Sequence, residues 1–132
     1  MLGAVALKLN HVNLTVSDVA AARQFLEKYF GLQGSTNPHT GESPAGDNEN
    51  RNFAVLFDDA GLVLTLMKSP KGAPVEYPAT FHIGFIQPSD QHVNDLNRRM
   101  RADGLDVPPP QRSHAWTYYV TAPGGFVVEV LS

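Results

Sequence analysis

The sequence predicts an α+β fold built from two βαβββ modules. Two observations carry that expectation. An extended run with a histidine near its start occurs twice, at His11 and His82, an offset of 82 − 11 = 71. Each run leads through Ser-Asp into a helical pattern that ends in Gly-Leu, and each helix is followed by two β-like segments joined by a glycine-containing turn. A repeat on this scale is one supersecondary unit used twice. In 132 residues, two such units make one domain of ordinary size.

The first strand lies in Leu9-Asn10-His11-Val12-Asn13-Leu14-Thr15-Val16. Side chains alternate along a strand, so Val12, Leu14 and Val16 point together toward the helix, and His11, Asn13 and Thr15 line the other face. Behind a Ser17/Asp18 cap, Val19, Ala22, Phe25, Leu26, Tyr29 and Phe30 recur at three- and four-residue spacing, and Gly31 supplies the stop. A weaker strand is expected near Gln33 to Thr36. Residues 37–50 are polar and rich in turn formers, a long loop of the kind that is often functional. Strands at Asn52 to Asp58 and Leu62 to Met67, with the turn Asp58-Asp59-Ala60-Gly61 between them, complete a first module over 1–68.

Ser69 to Pro78 carries three prolines and Gly72, and reads as the linker. The second module spans 79–132. Its strand runs through Thr80-Phe81-His82-Ile83-Gly84-Phe85-Ile86, and its helix places Val93, Leu96 and Met100 between a Ser89/Asp90 cap and Gly104. A weak strand near Asp106 to Val107 and two stronger ones at Thr117 to Thr121 and Phe126 to Leu131 follow, the last pair joined by Ala122-Pro123-Gly124-Gly125.

Composition excludes several functions. There are no cysteines, so disulfides, thiolate metal sites and a cysteine nucleophile are all ruled out. A net charge of −3 with 10 scattered Lys and Arg gives no basic stripe for nucleic acid; Arg98, Arg99 and Arg101 read as a solvated helix face. No apolar run is long enough to span a bilayer, and Met1 to Lys8 lack the basic start of a secretory signal. A soluble, cytoplasmic protein is expected.

The chemistry-bearing residues converge on a metal. Glu129 alternates with Val128 and Val130 in an apolar strand, where a carboxylate is costly to bury without a cation or hydrogen-bond partners. Strand parity leaves the face of His82 open, because its strand is apolar throughout, but its repeat relation to His11 sets it. His11, His82 and Glu129 then form a two-histidine, one-carboxylate set, which suits one divalent ion: iron(II), manganese, nickel or zinc. Counting from the matching turn glycines, Thr65 stands where Glu129 stands in the second module, so three ligands are offered and the remaining positions stay open. Tyr119 falls on the ligand face by parity, Asn13 lies beside the first ligand, and His114 in Arg112-Ser113-His114-Ala115-Trp116 can reach the rim; these three are the candidate catalytic groups.

The repeated modules, Asn-His-Val-Asn-Leu-Thr-Val-Ser-Asp at 10–18, Phe-His-Ile-Gly-Phe at 81–85 and Pro-Gly-Gly-Phe-Val-Val-Glu-Val at 123–130 resemble the vicinal oxygen chelate superfamily. That group holds glyoxalase I, extradiol dioxygenases, fosfomycin resistance enzymes and bleomycin-binding proteins. The resemblance implies a cupped mixed sheet around a metal at His11, His82 and Glu129, a small substrate chelated through adjacent oxygens, and a homodimer. It implies a lyase, isomerase or dioxygenase. The rival it leaves is a resistance protein of the fosfomycin-transferase or bleomycin-binding type. Thr65, in the place of a further glyoxalase I ligand, and a chain that stops three residues past Glu129 separate this sequence from the named activities.

Overall fold

The structure, a computed structural model, describes residues 5–34 and 52–132; the stretch 37–50 expected to form a long loop lies outside these residues. The apolar alternation of the first strand produces β1 (His11–Val16), in which Leu14 and Val16 are fully buried while His11 and Asn13 face outward. Helix α1 (Val19–Phe30) begins where the Asp18 carboxylate accepts the amide of Ala21 at 3.0 Å. It ends at Gly31, whose left-handed φ of 67° costs a glycine little. β2 (Gln33–Gly34), β3 (Phe53–Phe57) and β4 (Val63–Lys68) complete the first module, the rest of the strand expected at Gln33 to Thr36 lying outside the described residues.

The linker forms a short 3-10 turn at Pro70–Gly72 and then runs back over the first module, where the Tyr77 hydroxyl donates to the carbonyl of Thr15 at 2.7 Å. The second module repeats the first: β5 (Ile83–Ile86), α2 (Asp90–Ala102) capped by Ser89, β6 (Gln111–Arg112), β7 (Trp116–Thr121) and β8 (Val127–Leu131). One expected strand is displaced. Val107 is buried but not in a ladder, because Pro108, Pro109 and Pro110 have no amide hydrogen to give; the strand forms after them, at Gln111.

Each module is a mixed four-stranded sheet, ordered β1-β4-β3-β2 in the first and β5-β8-β7-β6 in the second. The edges β1 and β5 each run parallel to their one sheet neighbour, the geometry that a helical crossover permits. The registers make the repeat literal. Asn13 is opposite Thr65 in the first sheet, and Gly84 is opposite Glu129 in the second, so Thr65 and Glu129 occupy the same place.

The helix-bearing faces of the modules meet in one core. Leu14, Leu26, Leu66, Val93, Met100, Phe126 and Val130 are all fully buried. At roughly 1.5–3 kcal/mol for each large side chain removed from water, this shared core is what holds the modules together. Phe30 of α1 stacks on Phe85 of β5 with ring centroids 4.2 Å apart, and the carbonyl of Gly124 accepts the amide of Ser17 at 3.1 Å. With the helices inside, the opposite faces of both sheets are left pointing outward, and His11 and Glu129 lie on them.

Candidate metal centre

The second sheet positions its site through register. Gly84, Glu129 and Tyr119 sit side by side on β5, β8 and β7, and the alternation of each strand turns Glu129, Tyr119 and Thr117 to the same outer face. His82, two residues before Gly84, follows that parity. Glycine at 84 leaves the carboxylate a neighbour without a side chain. Glu129 is nonetheless only 5% exposed, because polar groups close over it.

Those groups divide its two oxygens. Oε2 lies 2.7 Å from Nε2 of His114 and 2.6 Å from the hydroxyl of Thr117. Oε1 lies 3.3 Å from Nε2 of His82. Burial works to raise the pKa of Glu129, but hydrogen bonds from Thr117, His114 and Tyr119 outweigh it and hold the carboxyl below its ordinary value. The charged form is the resident one. For Tyr119, burial and then the negative charge of Glu129 push the phenol upward.

The His82 ring is oriented from behind. Its Nδ1 lies 2.9 Å from the carbonyl of Thr80, which can only accept, so the proton of a neutral ring is on Nδ1 and Nε2 carries a lone pair. His82 Nε2 and Glu129 Oε1 face each other at 3.3 Å, an ion pair when the ring is protonated and two electron-pair donors when it is neutral. With the ring neutral, donors 3.3 Å apart can both bind one ion at about 2.0–2.2 Å. The nitrogen and oxygen donors suit the divalent ions expected from the sequence, and a carbonyl behind a histidine is the usual support for a metal ligand.

His11 does not join them within the chain. It is exposed at the start of β1, with Nδ1 3.0 Å from Oδ1 of Asn10, and among the described residues no three His, Cys, Asp or Glu side chains are arranged to hold an ion. His82 and His114 cannot substitute for such a set, because they approach opposite oxygens of Glu129. Asn13 lies on the His11 face, where its Oδ1 accepts from the Thr65 hydroxyl at 2.8 Å.

Of the expected groups, then, the structure gathers His82, Glu129, Tyr119 and His114, and leaves His11 and Asn13 on the other module. The edge of the Tyr119 ring meets His82 with centroids 5.3 Å apart. Thr117 is an addition; it shares the parity of Tyr119 and Glu129, a signal the sequence carried. Beside His82 is an open hollow of about 400 Å³ lined by Ala79, Thr80, Phe81, Tyr119 and Val127.

Comparison with known proteins agrees with this architecture. The chain is similar to the structure of a possible glyoxalase from Bacillus cereus, with 47% identity, a TM-score of 0.79, and coverage of 96% of this chain and 100% of that one. It shares the fold of the fosfomycin resistance protein FosX from Listeria monocytogenes, in a mutant complexed with Mn(II) and a dihydroxypropylphosphonic acid (19% identity, TM-score 0.68, 96% and 93% covered). The lactoylglutathione lyase from Agrobacterium tumefaciens also has this fold (18% identity, TM-score 0.66, 94% and 92% covered). None of the curated proteins matches the chain significantly. Residues 8–130, nearly the whole of both modules, match one family, and with them the chain belongs to the Glyoxalase/Bleomycin resistance protein/Dioxygenase superfamily.

Proposed function

We propose that the protein is a divalent-metal-dependent enzyme that binds a small substrate through two adjacent oxygens and acts as a lyase, isomerase or dioxygenase. The observation that carries this reading is the approach of His82 Nε2 to Glu129 Oε1 at 3.3 Å beside an open hollow, with His82 Nδ1 turned to the Thr80 carbonyl. His82 and Glu129 of one chain would hold the ion together with His11 of a second copy. Support for the second copy comes from exposed apolar residues, Val5, Leu7 and Leu9 in the segment before β1 and Met67 and Ile86 on the sheets, with Leu7 96% and Ile86 78% exposed, and from β1 and β5, which are edge strands among the described residues. Exposed apolar side chains beside open strand edges favour self-association.

When bound, the ion supplies Lewis-acid stabilisation of an enolate or oxyanion and fixes the substrate's oxygens. The chain does the rest. The Thr80 carbonyl keeps His82 Nε2 available, and Thr117 keeps Glu129 charged. The Tyr119 hydroxyl, protonated beside Glu129, would act as the acid that gives a proton to a substrate oxygen. Asn13, brought by the second copy on the strand that bears His11, would donate through its amide to a substrate oxygen while Thr65 holds its carbonyl oxygen.

Metal analysis tests the reading. Protein purified without a tag from cells grown with iron, manganese, nickel and zinc is expected to carry about one ion per chain, and His82→Ala and Glu129→Ala far less. Wild type and both variants with equally little metal would sink it.

A further inference from the structure

The two histidines that touch Glu129 use their other ring nitrogens differently. His82 has a proton on Nδ1, fixed by the Thr80 carbonyl, which leaves Nε2 as the nitrogen that can bind an ion. His114 is the reverse. Its Nδ1 lies 3.1 Å from the Ser113 hydroxyl, which can donate to it, and its Nε2 lies 2.7 Å from Oε2 of Glu129, a charged carboxylate that can only accept. The proton of His114 is therefore on Nε2, pointing at the carboxylate. A nitrogen that donates a hydrogen bond has no electron pair to give an ion.

The same oxygen is also approached by Thr117 at 2.6 Å, from a side chain that is itself buried. Two donors thus converge on Oε2, while Oε1 faces Nε2 of His82. Bidentate binding of an ion would need both oxygens free toward the same side. From this asymmetry we infer that His114 is a positioning residue: together with Thr117 it occupies Oε2 of Glu129, so that Glu129 presents Oε1 alone, as a monodentate ligand beside His82.

This inference rests on the metal-enzyme reading and specifies how its carboxylate is set. A monodentate carboxylate leaves one more coordination position for substrate oxygen than a bidentate one, which a site that must take two adjacent oxygens can use. His114 lies in a segment with an exposed side chain, so replacing it leaves the core of β7 and β8 in place.

The test combines affinity, spectroscopy and rescue in the full-length protein. Titration with Co(II) is expected to show binding about 10–100-fold weaker in His114→Ala than in wild type, the usual effect of removing a hydrogen-bond partner of a metal ligand. His114→Gln, whose amide can donate to Oε2, is expected to recover part of the loss. Infrared difference spectra of Zn(II)-loaded wild type against Glu129→Gln are expected to give the wide carboxylate splitting of a monodentate ligand, narrowing in a His114→Ala/Thr117→Val variant. Long-range ¹⁵N correlation in the Zn(II)-loaded wild type is expected to find His114 protonated at Nε2. Metal binding and splitting unchanged in the variants, or His114 Nε2 found unprotonated and metal-bound, overturns the inference while leaving the metal-enzyme reading standing. Failure of wild type to bind Co(II) or Zn(II) overturns both.

Discussion

The hydroxyl of Tyr29, at the end of the first helix, donates to the carboxylate of Asp103, just past the second, across 2.7 Å and 74 residues of chain. Lys28 Nζ adds an ion pair to the same carboxylate at 3.1 Å, and Arg99 reaches back to the Lys28 carbonyl at 2.6 Å. This knot ties the two modules where their helices end. The Tyr29 hydrogen bond first, and then that from Lys28, hold Asp103 below the ordinary carboxylate pKa of 3.8. A group depressed in the folded state contributes stability above its unfolded pKa and loses it as pH falls through the folded one. The tie should therefore be at full strength above about pH 5 and fail in stronger acid. Urea unfolding is expected to show wild type losing more stability than Asp103→Asn between about pH 5 and pH 3. Equal losses would mean that Asp103 does not bind the modules through its charge.

Gly124 joins the modules at another point, and here glycine is required twice over. Its φ is 98°, outside the range ordinary residues favour, and a Cβ at this position would lie 2.9 Å from Cβ of Val16 and 3.4 Å from Cβ of Ala22. Gly31 offers an internal control, since it too has positive φ, at 67°, but an added Cβ there meets nothing within 4 Å. Backbone strain alone should make Gly31→Ala cost about 1–2 kcal/mol. Overpacking comes on top at Gly124, so Gly124→Ala is expected to cost about 2–5 kcal/mol. Chemical denaturation of the two variants in parallel measures the difference, and similar costs would mean that the close approach of β7–β8 to α1 yields freely.

Much of this architecture was legible in the residues. The alternation of Val12, Leu14 and Val16 and the spacing of Val19, Ala22, Phe25 and Leu26 gave strand and helix, because burial of one face decides both. The equivalence of Thr65 and Glu129, inferred from matching turns, reappears as matching registers. The strand expected at Asp106 to Val107 was misplaced because Val107 is apolar and buried, as a strand residue would be, yet it precedes three prolines that cannot pair. The site was legible only within a module. Parity places Glu129, Tyr119 and Thr117 on one face, but whether β1 comes to rest beside β5 of its own chain depends on how two whole sheets pack, and local pattern carries no record of that. The division of Glu129's oxygens between His82 and His114 likewise depends on rotamers that spacing does not encode.

Tyr119 makes a separable prediction for chemistry. Its ring packs against His82, and its hydroxyl helps to keep Glu129 charged, yet it is 40% exposed toward the hollow. If its role is proton transfer, Tyr119→Phe should change metal affinity only modestly, since Thr117 and His114 still hold Oε2. Turnover should fall by about 10²–10⁴-fold, the range for loss of a positioned acid or base. A screen of 1,2-diols, α-keto hemithioacetals and catechols with protein loaded separately with iron(II), manganese, nickel and zinc would supply the substrate. Unchanged turnover in Tyr119→Phe would leave the ring as packing for His82 and send the search for the proton-transfer group to Asn13 or a bound water.

The sharing of one site by two chains can be tested by mixing. If His11 serves its own chain, a dimer of one His11→Ala chain and one Glu129→Ala chain has two damaged sites, each short of a ligand. If His11 serves the partner, the outcome differs: one site loses both ligands, and the other receives its histidine from the Glu129→Ala chain and its carboxylate from the His11→Ala chain, and is whole. The separation of His11 from His82 and Glu129 within the chain favours the second arrangement. Each variant alone is expected to bind metal weakly. After the two are unfolded together, refolded and separated by tag, the mixed dimer is expected to hold about one tightly bound ion per two chains, as one intact site of two requires. A mixed dimer that binds no better than its parents would return His11 to its own chain or remove it from the site.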